Sequence, residues 1–400
     1  MAAFGAFAQP IAEDEIMDAR RAKLNEVAFA LNGTCQYFEN QLLTPAECKS
    51  AIGMKIKFPE LFQASEKEEG IGFATYVLTI LIPKGEKDLA LSLPQMYSSY
   101  RLWANGKVIA ENGVVGKTID ECKPQWRPQT VSFQIQSDTL SLVLQIANFH
   151  HAKGGIKESI YLGKPSLMNF KRSVAVISKS VESLALFLIG IFFLFIYLVR
   201  HRDKATIYFS LLALTWAVRS VFSNIYLFIS YFPDFNWNAM VRIEYLTLYL
   251  TMIWAILFLT NLFTRETNLL IKYALVLSNA LFILFTVSSE PRIFTQGLKI
   301  YLVASGVLLA YGAYVIIHAW LNERVGSGLL TITIVLGLNI FGYDIFVYQG
   351  FSSYDPVIFS AGYVVIFSLM GIALASYVSM IKTKPSKSSS LSYEDLYKNN

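Results

Sequence analysis

The side chains best suited to chemistry in this 400-residue chain fall into three groups. The first lies in the N-terminal half and comprises Tyr97, Tyr100, Arg101, Trp103, Asn105, Trp126, Asn148, His150 and His151. Sugars are bound by stacking on aromatic faces while amide and charged groups read the hydroxyls, so these types suit a carbohydrate or a similar small ligand. Two members also have a plain structural reading. Trp103 sits in an alternating stretch where it would serve as core, and Asn105 precedes Gly106 as a turn residue would. His150 and His151 invite a metal, but neighbours on a strand point to opposite faces, and no third His or Cys stands near them. A loop-anchoring hydrogen bond ahead of Gly154-Gly155 is the expectation there, and no metal or cofactor is assigned.

The second group is ionisable and embedded in apolar sequence: Arg219, Arg242, Glu244 and Asp344. A charge inside a bilayer costs at least ~2.5 kcal/mol unless paired or hydrated, so it should face the interior of a bundle. The expected depths of Arg219, Glu244 and Asp344 differ by only ~6–8 Å at about 1.5 Å per residue. Arg219 is therefore expected to pair with Asp344 or Glu244, either as a static packing contact or as a two-state latch. The third group is Cys35, Cys48 and Cys122, which have no Cys-x-x-Cys spacing and so no zinc or redox motif. Cys35 with Cys48 would close a loop of modest length as a disulfide, if any bridge forms.

These residues sit in two unlike halves. Hydrophobic side chains make up 54% of the chain and charged ones only 16%, against roughly 25% charged in an ordinary soluble domain. Residues 1–173 hold 37 charged side chains, whereas 174–380 hold 20. The second stretch divides into seven apolar runs of membrane-spanning length, approximately 178–199, 205–229, 239–262, 269–288, 297–321, 329–349 and 357–380. Pro233, Pro291 and Pro356 fall in connections and no proline lies inside a span. Arg200, Arg202, Lys204, Arg265 and Arg324 occupy the first, third and fifth connections, and Arg292 alone the opposite ones. By the positive-inside rule the C-terminus is expected in the cytoplasm and the N-terminal domain outside the cytoplasmic membrane. Aromatic residues such as Tyr231, Phe232, Phe235 and Trp237 fall where an interfacial belt belongs.

In the N-terminal half the periodicity is that of strands. Candidates are 73–81, 88–93, 99–104, 107–112, 131–136 and 140–149, with Asn105-Gly106 as a hairpin turn. So many short strands imply a β-sandwich. Residues 12–31 read as helical or as a leader to the fold. The expected organisation is 1–10 as a signal-peptide remnant, 11–172 as the extracytoplasmic β-sandwich, 173–380 as the seven-helix membrane domain and 381–400 as a disordered cytoplasmic tail. The first assignment rests on Ala6-Phe7-Ala8 followed by Gln9, which matches only the end of a signal peptide.

The segments GIGFATYVLTILIP, LALSLPQMYSSYRLWANGKVIAENGVVG, LVLQIANFHHAKGGI and IYLGKP, followed by seven spans, resemble the bacterial seven-transmembrane receptors with diverse intracellular signalling modules. The resemblance covers about 35 to 380. It implies a jelly-roll, galactose-binding-like sandwich that takes a carbohydrate or another small ligand. It also implies seven helices that signal to a module such as a kinase, a cyclase or a phosphatase. Only 20 residues follow Met380, Ser- and Lys-rich, so no output domain is expected within them. Either a separate cytoplasmic kinase or cyclase supplies the output, or the gene ends early. A homodimer is compatible with this arrangement.

Other classes fit less well. A rhodopsin needs a lysine in its last span, and 357–380 has none. A transporter would call for repeats or broken spans. An enzyme would call for a nucleophile with its base or for paired carboxylates in a cleft. Nucleic-acid binding has no support, because the net charge of +5 comes largely from connections and tail. The alternative to a receptor is a non-signalling accessory or scaffold protein that binds a periplasmic ligand or protein.

Overall fold

The structure, a computed structural model, describes residues 10–13, 15–62, 70–199, 203–348 and 355–383. Ala6-Phe7-Ala8 and the tail beyond Thr383 lie outside the described residues. The N-terminal half is a sandwich of two sheets. Its strands are β1 (Ala12–Glu13), β2 (Ile16–Asp18), β3 (Phe29–Ala30), β4 (Gly33–Glu39), β5 (Met54–Phe58), β6 (Gly72–Leu81), β7 (Asp88–Leu93), β8 (Ser99–Ala104), β9 (Lys107–Asn112), β10 (Gln129–Gln134), β11 (Thr139–Asn148) and β12 (Tyr161–Gly163). The larger sheet has the order β5-β4-β1-β2-β6-β11-β8-β9, and the smaller one β10-β7-β12-β3.

Strands β6 and β11 form the spine, antiparallel over ten residue pairs from Thr139↔Leu81 to Asn148↔Gly72. Leu140, Leu142, Leu144 and Ile146 of β11 alternate into the core between the sheets, opposite Leu89 and Leu91 of β7. The intervening Val143 and, across from it, Trp103 are buried on the outer face with Phe38 and Cys48. Helix α1 (Pro45–Cys48) and its flanks cover that face, with Gln145 Nε2 donating to the Leu43 carbonyl at 3.0 Å. Asn105 and Gly106 both take positive φ, +46° and +82°, as the predicted turn requires. Asn105 then ties that turn to β11, accepting from Ser141 N at 2.7 Å and donating to the Thr139 carbonyl at 3.1 Å.

Three expectations are corrected here. Residues 12–31 form no helix but hold β1, β2 and β3; Met17 points inward between two exposed neighbours, as in a strand. Strand β2 pairs in parallel with β6, which closes an edge that no local pattern announces. Strand β10 begins two residues earlier than 131, because its six residues pair completely with β7 and Ile135 then turns into the core. Cys35 and Cys48 are both free, as is Cys122. Cys35 points from β4 into the core between the sheets, whereas Cys48 packs on the other face of that sheet. Thiols on opposite faces of a sheet cannot bridge. Burial pushes the Cys35 thiol up to about 12 and that of Cys48 to about 11.

The remainder is helical: α2 (Pro165–Val199), α3 (Lys204–Phe222), α4 (Leu227–Tyr231), α5 (Trp237–Leu262), α6 (Leu269–Ser288), α7 (Pro291–Phe294), α8 (Leu298–Leu321), α9 (Ser327–Tyr348) and α10 (Pro356–Thr383). Six of these are long and apolar enough to cross a membrane among the described residues, and α9 contributes a shorter apolar stretch, Ser327–Ile340. Pro291 and Pro356 each open a helix, where a missing N–H costs nothing. Two expected boundaries move. Helix α2 starts at Pro165, thirteen residues before the predicted span, and α3 ends at Phe222, after which Asn224 and Tyr226 take positive φ and α4 follows.

By contacts the chain divides into two compact units. One holds the whole β-domain together with Val218–Tyr249 and Ala280–Val303; the other holds Leu184–Ala217, Leu250–Asn279 and the residues from Ala304 onward. The second is held by an apolar core that includes Phe193, Phe209, Ile256, Phe258, Val315 and Leu374. Ser210 Oγ donates to the Gly190 carbonyl at 2.8 Å, and Arg324 Nε meets Glu266 Oε1 at 2.6 Å.

The cysteine geometry gives a direct expectation: unfolded without reductant, the chain titrates three thiols. A count of one would show that a bridge had formed.

Candidate functional site

Nine residues were singled out for ligand binding, and the fold separates them into two places. Tyr100, Arg101, Trp103 and Asn105 lie on the β8–β9 hairpin. The Tyr100 ring is fully buried between the sheets and its hydroxyl accepts from Gln129 Nε2 at 2.7 Å. On the other face Arg101 pairs with Glu111 and lies 5.8 Å over the ring of Trp103. Trp103 is itself buried, at 7% exposure, so neither Tyr100 nor Trp103 offers an open stacking platform.

Tyr97, Trp126, Asn148, His150 and His151 come together at the other end of β11. Asn148 is the hub. Its amide Nδ2 donates to the carbonyls of Gly70 and His151, both at 2.6 Å, and of Lys153 at 3.0 Å. Its Oδ1 accepts from the N–H groups of His150 and His151 at 3.3 and 3.1 Å. One side chain thus satisfies four main-chain groups of this loop and ties it to the Gly70 carbonyl, groups that burial would otherwise leave unpaired. Gly154 must be glycine in this loop, because a Cβ would collide with the Gly70 carbonyl.

The loop so fixed presents rings. His151 stacks on Tyr97 at 4.8 Å between centroids, and Trp126 meets both edge-on at 5.2 and 5.8 Å. Trp126 also touches Tyr226 at 5.5 Å and Trp237 at 5.6 Å, and His150 lies 6.2 Å from Trp237. Polar contacts join the same segments: Gln125 Nε2 donates to the Pro233 carbonyl at 2.6 Å, and Ala152 N to Thr295 Oγ1 at 3.1 Å. The indole Nε1 of Trp126, the indole Nε1 of Trp237 and the Nδ1 of His150 are buried with no hydrogen-bond partner among the described residues.

From this ring cluster a short chain of contacts reaches the ionisable residues of the spans. The Tyr226 hydroxyl donates to the Glu244 carboxylate at 3.2 and 3.4 Å, and Arg219 Nη1 donates to the Glu244 main-chain carbonyl at 2.8 Å. Arg219 and Glu244 therefore do meet, with the guanidinium on the backbone and the carboxylate on Tyr226. The side chain of Asp344 lies outside the described residues. Arg242 acts elsewhere. Its guanidinium donates to the carbonyls of Thr286, Val287 and Ser289, closing the C-terminal end of α6, and lies 5.5 Å over Phe294. A cation at that helix end satisfies carbonyls that have no partner within the helix.

Sequence reasoning did not find Tyr226, Gln125 or Thr295, and it placed Trp237 in an interfacial belt. Tyr231 and Phe232 are exposed as a belt requires, but Trp237 is buried. Reasoning on spans also missed the buried Lys179–Glu182 pair of α2, 2.8 Å apart, although its three-residue spacing was visible. Among the described residues no group of three His, Cys, Asp or Glu side chains could hold a metal ion.

Burial pushes the His151 imidazole down to about 3, and its Nδ1 accepts from Lys153 N at 2.9 Å. Between pH 6.5 and 3 the unfolded chain binds a proton here that the folded chain does not. Stability is therefore full above pH 6.5 and falls with acidification, by about 2 kcal/mol at pH 5. The acid slope of thermal unfolding should flatten in His151→Phe; an unchanged slope would contradict a neutral buried imidazole.

No curated protein matches the chain in sequence. Among solved structures it is similar to a Bacteroides uniformis β-glucuronidase, with 18% identity and a TM-score of 0.26 over 34% of this chain and 17% of that one. It is also similar to a Ruminococcus gnavus β-glucuronidase, with 14% identity and a TM-score of 0.25 over 34% of this chain and 29% of that one. The chain thus spans less than a third of either enzyme, and likeness of that degree carries no argument about activity. Residues 184–379 match the family described as 7TM diverse intracellular signalling. The helical region thus carries the 7TM domain of that family.

Proposed function

We propose that the chain is a transmembrane receptor, not an enzyme, whose β-sandwich takes an extracytoplasmic ligand and whose helices pass the signal to a separate cytoplasmic kinase or cyclase. It would sit in the bacterial cytoplasmic membrane with its sandwich outside, as the Lys/Arg bias of the connections favours. The observation that carries this reading is a trio of buried polar atoms without a hydrogen-bond partner among the described residues, Trp126 Nε1, Trp237 Nε1 and His150 Nδ1, gathered in one ring cluster. A buried donor without an acceptor costs about 1–3 kcal/mol. A ligand that offers acceptor oxygens to both indoles removes that cost, and a carbohydrate hydroxyl or carboxylate has the required chemistry.

The cluster is closed around its rings, so such a ligand must part Trp126 from Trp237 to bind. It then favours a different arrangement of Tyr226, and through it of Glu244 and Arg219. A ligand shifts an equilibrium only by binding two arrangements unequally, and the unmet donors supply that inequality. The burial of Tyr100, Trp103 and Trp126 favours a second reading, a scaffold that binds a periplasmic protein, because none of these three rings offers an open face for sugar stacking.

The test is thermal unfolding of the full chain in detergent against a panel of neutral and acidic sugars, with Trp126→Phe and Trp237→Phe alongside. Each variant keeps an aromatic ring and loses the N–H. A ligand at about 100 times its dissociation constant stabilises by ~2.7 kcal/mol; that shift should shrink in both variants. A shift equal in all three proteins would place the ligand elsewhere, and no shift with any sugar would favour the scaffold.

A further inference from the structure

Helix α2 has two faces of different kind. Its buried positions are Met168 and, from Lys179 on, Glu182, Leu186, Gly190 and Phe193 at the three- and four-residue steps of a single helical stripe. On the opposite face Phe170, Ile177, Leu184, Ile191 and Leu198 recur at every seventh residue. Val174, Val181, Leu188 and Phe195 fall between them, each four residues on. Alternating steps of four and three give the seam of a coiled coil, unbroken from 170 to 198. Apart from half-buried Val174 these side chains are exposed, Phe170 at 67% and Ile177 at 61%.

Lipid would cover such a seam inside a bilayer, but the seam is too long for one. Helix α2 has 35 residues, which span about 52 Å at 1.5 Å per residue against a hydrocarbon core of about 30 Å. Its C-terminal end abuts Arg200 and Arg202, so the surplus lies at the other end, where Lys171 and Arg172 stand. Phe170, Val174 and Ile177 therefore carry the apolar seam out of the bilayer. Helix α6 makes the contrast: it too exposes Leu277, Leu281 and Leu284, but its 20 residues fit within a bilayer and lipid accounts for them.

The positions beside the seam in the protruding part are Ser173, Ser178 and Ser180, with Lys171 as the one charge. Small side chains let two helix backbones approach closely, and Ser180 Oγ already donates to the Val176 carbonyl of its own helix at 2.8 Å. A strict heptad that no element among the described residues covers fits a copy of itself, because a symmetric pair uses one patch twice.

We propose that the exposed heptad of α2 is a homodimer seam, at which a second copy of this chain packs α2 against α2 in parallel about a two-fold axis. The inference stands apart from the receptor reading and from the identity of any ligand. It places the start of the seam's helix directly after β12, since Gly163 ends that strand and Pro165 begins the helix.

The test is oxidative cross-linking of the full chain in membranes, with single cysteines in depth-matched pairs: Phe170→Cys against Asn169→Cys, Ile177→Cys against Val176→Cys, and Leu184→Cys against Ser183→Cys. The native cysteines are buried and give a low background. Covalent dimer should form at 170, 177 and 184, several-fold above each neighbour. Equal yields within the pairs, or no dimer at any position, would mean that lipid and headgroups cover the face and would overturn the proposal. As a second readout, Ile177→Asp combined with Val181→Asp should convert dimer to monomer by light scattering in detergent while the melting transition of the chain persists. A dimer that survives both substitutions would overturn the proposal equally.

Discussion

The contact on which the candidate site depends is the one Trp126 makes with Trp237. Trp126 is almost fully buried, yet it comes from a loop of the sandwich and touches Tyr97, His151, Tyr226 and Trp237 at once. Edge-to-face pairs of this kind contribute about 0.5–1.5 kcal/mol each beyond the area they bury. Three such contacts and a tilted one with Tyr226 make this ring the point through which the loops after β7 and β11 and the residues around α4 are held as a single body. Asn148 makes this possible from below, since without its five hydrogen bonds the loop that aims His150 and His151 would have unpaired main-chain groups in an apolar surrounding.

Two kinds of polar arrangement coexist in this body, and their effects differ. Arg242 and Asn148 are saturated, each binding several main-chain groups, and they fix segments in place. The two indole N–H groups and the His150 imidazole are buried there without a hydrogen-bond partner among the described residues. Tyr226 links the two kinds, with its ring on Trp126 and its hydroxyl on Glu244. The geometry thus joins a rigid frame to a few groups without hydrogen-bond partners among the described residues.

Much of the fold was legible in the sequence because periodicity reports it. Strands at 88–93, 99–104 and 107–112 follow their alternation to the residue, and Asn105-Gly106 adopts the turn its side chains favour. The seven apolar runs all hold helix, the second of them broken between α3 and α4, and six of the helices are long and apolar enough to cross a membrane among the described residues. What failed did so for physical reasons. Strands β1, β2 and β3 are two or three residues long, too short to show a period, and they exist because a neighbouring strand edge accepts them. The start of α2 was hidden because its first residues, with Asn169, Lys171 and Arg172 among them, are not uniformly apolar. The candidate site was half legible: Asn148, His150, His151, Trp126 and Tyr97 were named from their types, but Tyr226 and Trp237 come from a distant stretch that only the tertiary fold brings near. Trp103 and Tyr100 carry the same residue types as a sugar platform, and burial assigns them to packing.

The central claim is that the ring cluster couples the sandwich loops to the segment from Tyr226 to Glu244. The most direct measurement is amide hydrogen exchange on the full chain, compared between the wild type and Trp126→Ala. The account predicts faster exchange in both places, in the 148–155 loop and across 223–249. Faster exchange confined to the sandwich loops, with 223–249 unchanged, would contradict it and leave Trp126 as a packing residue of the sandwich alone.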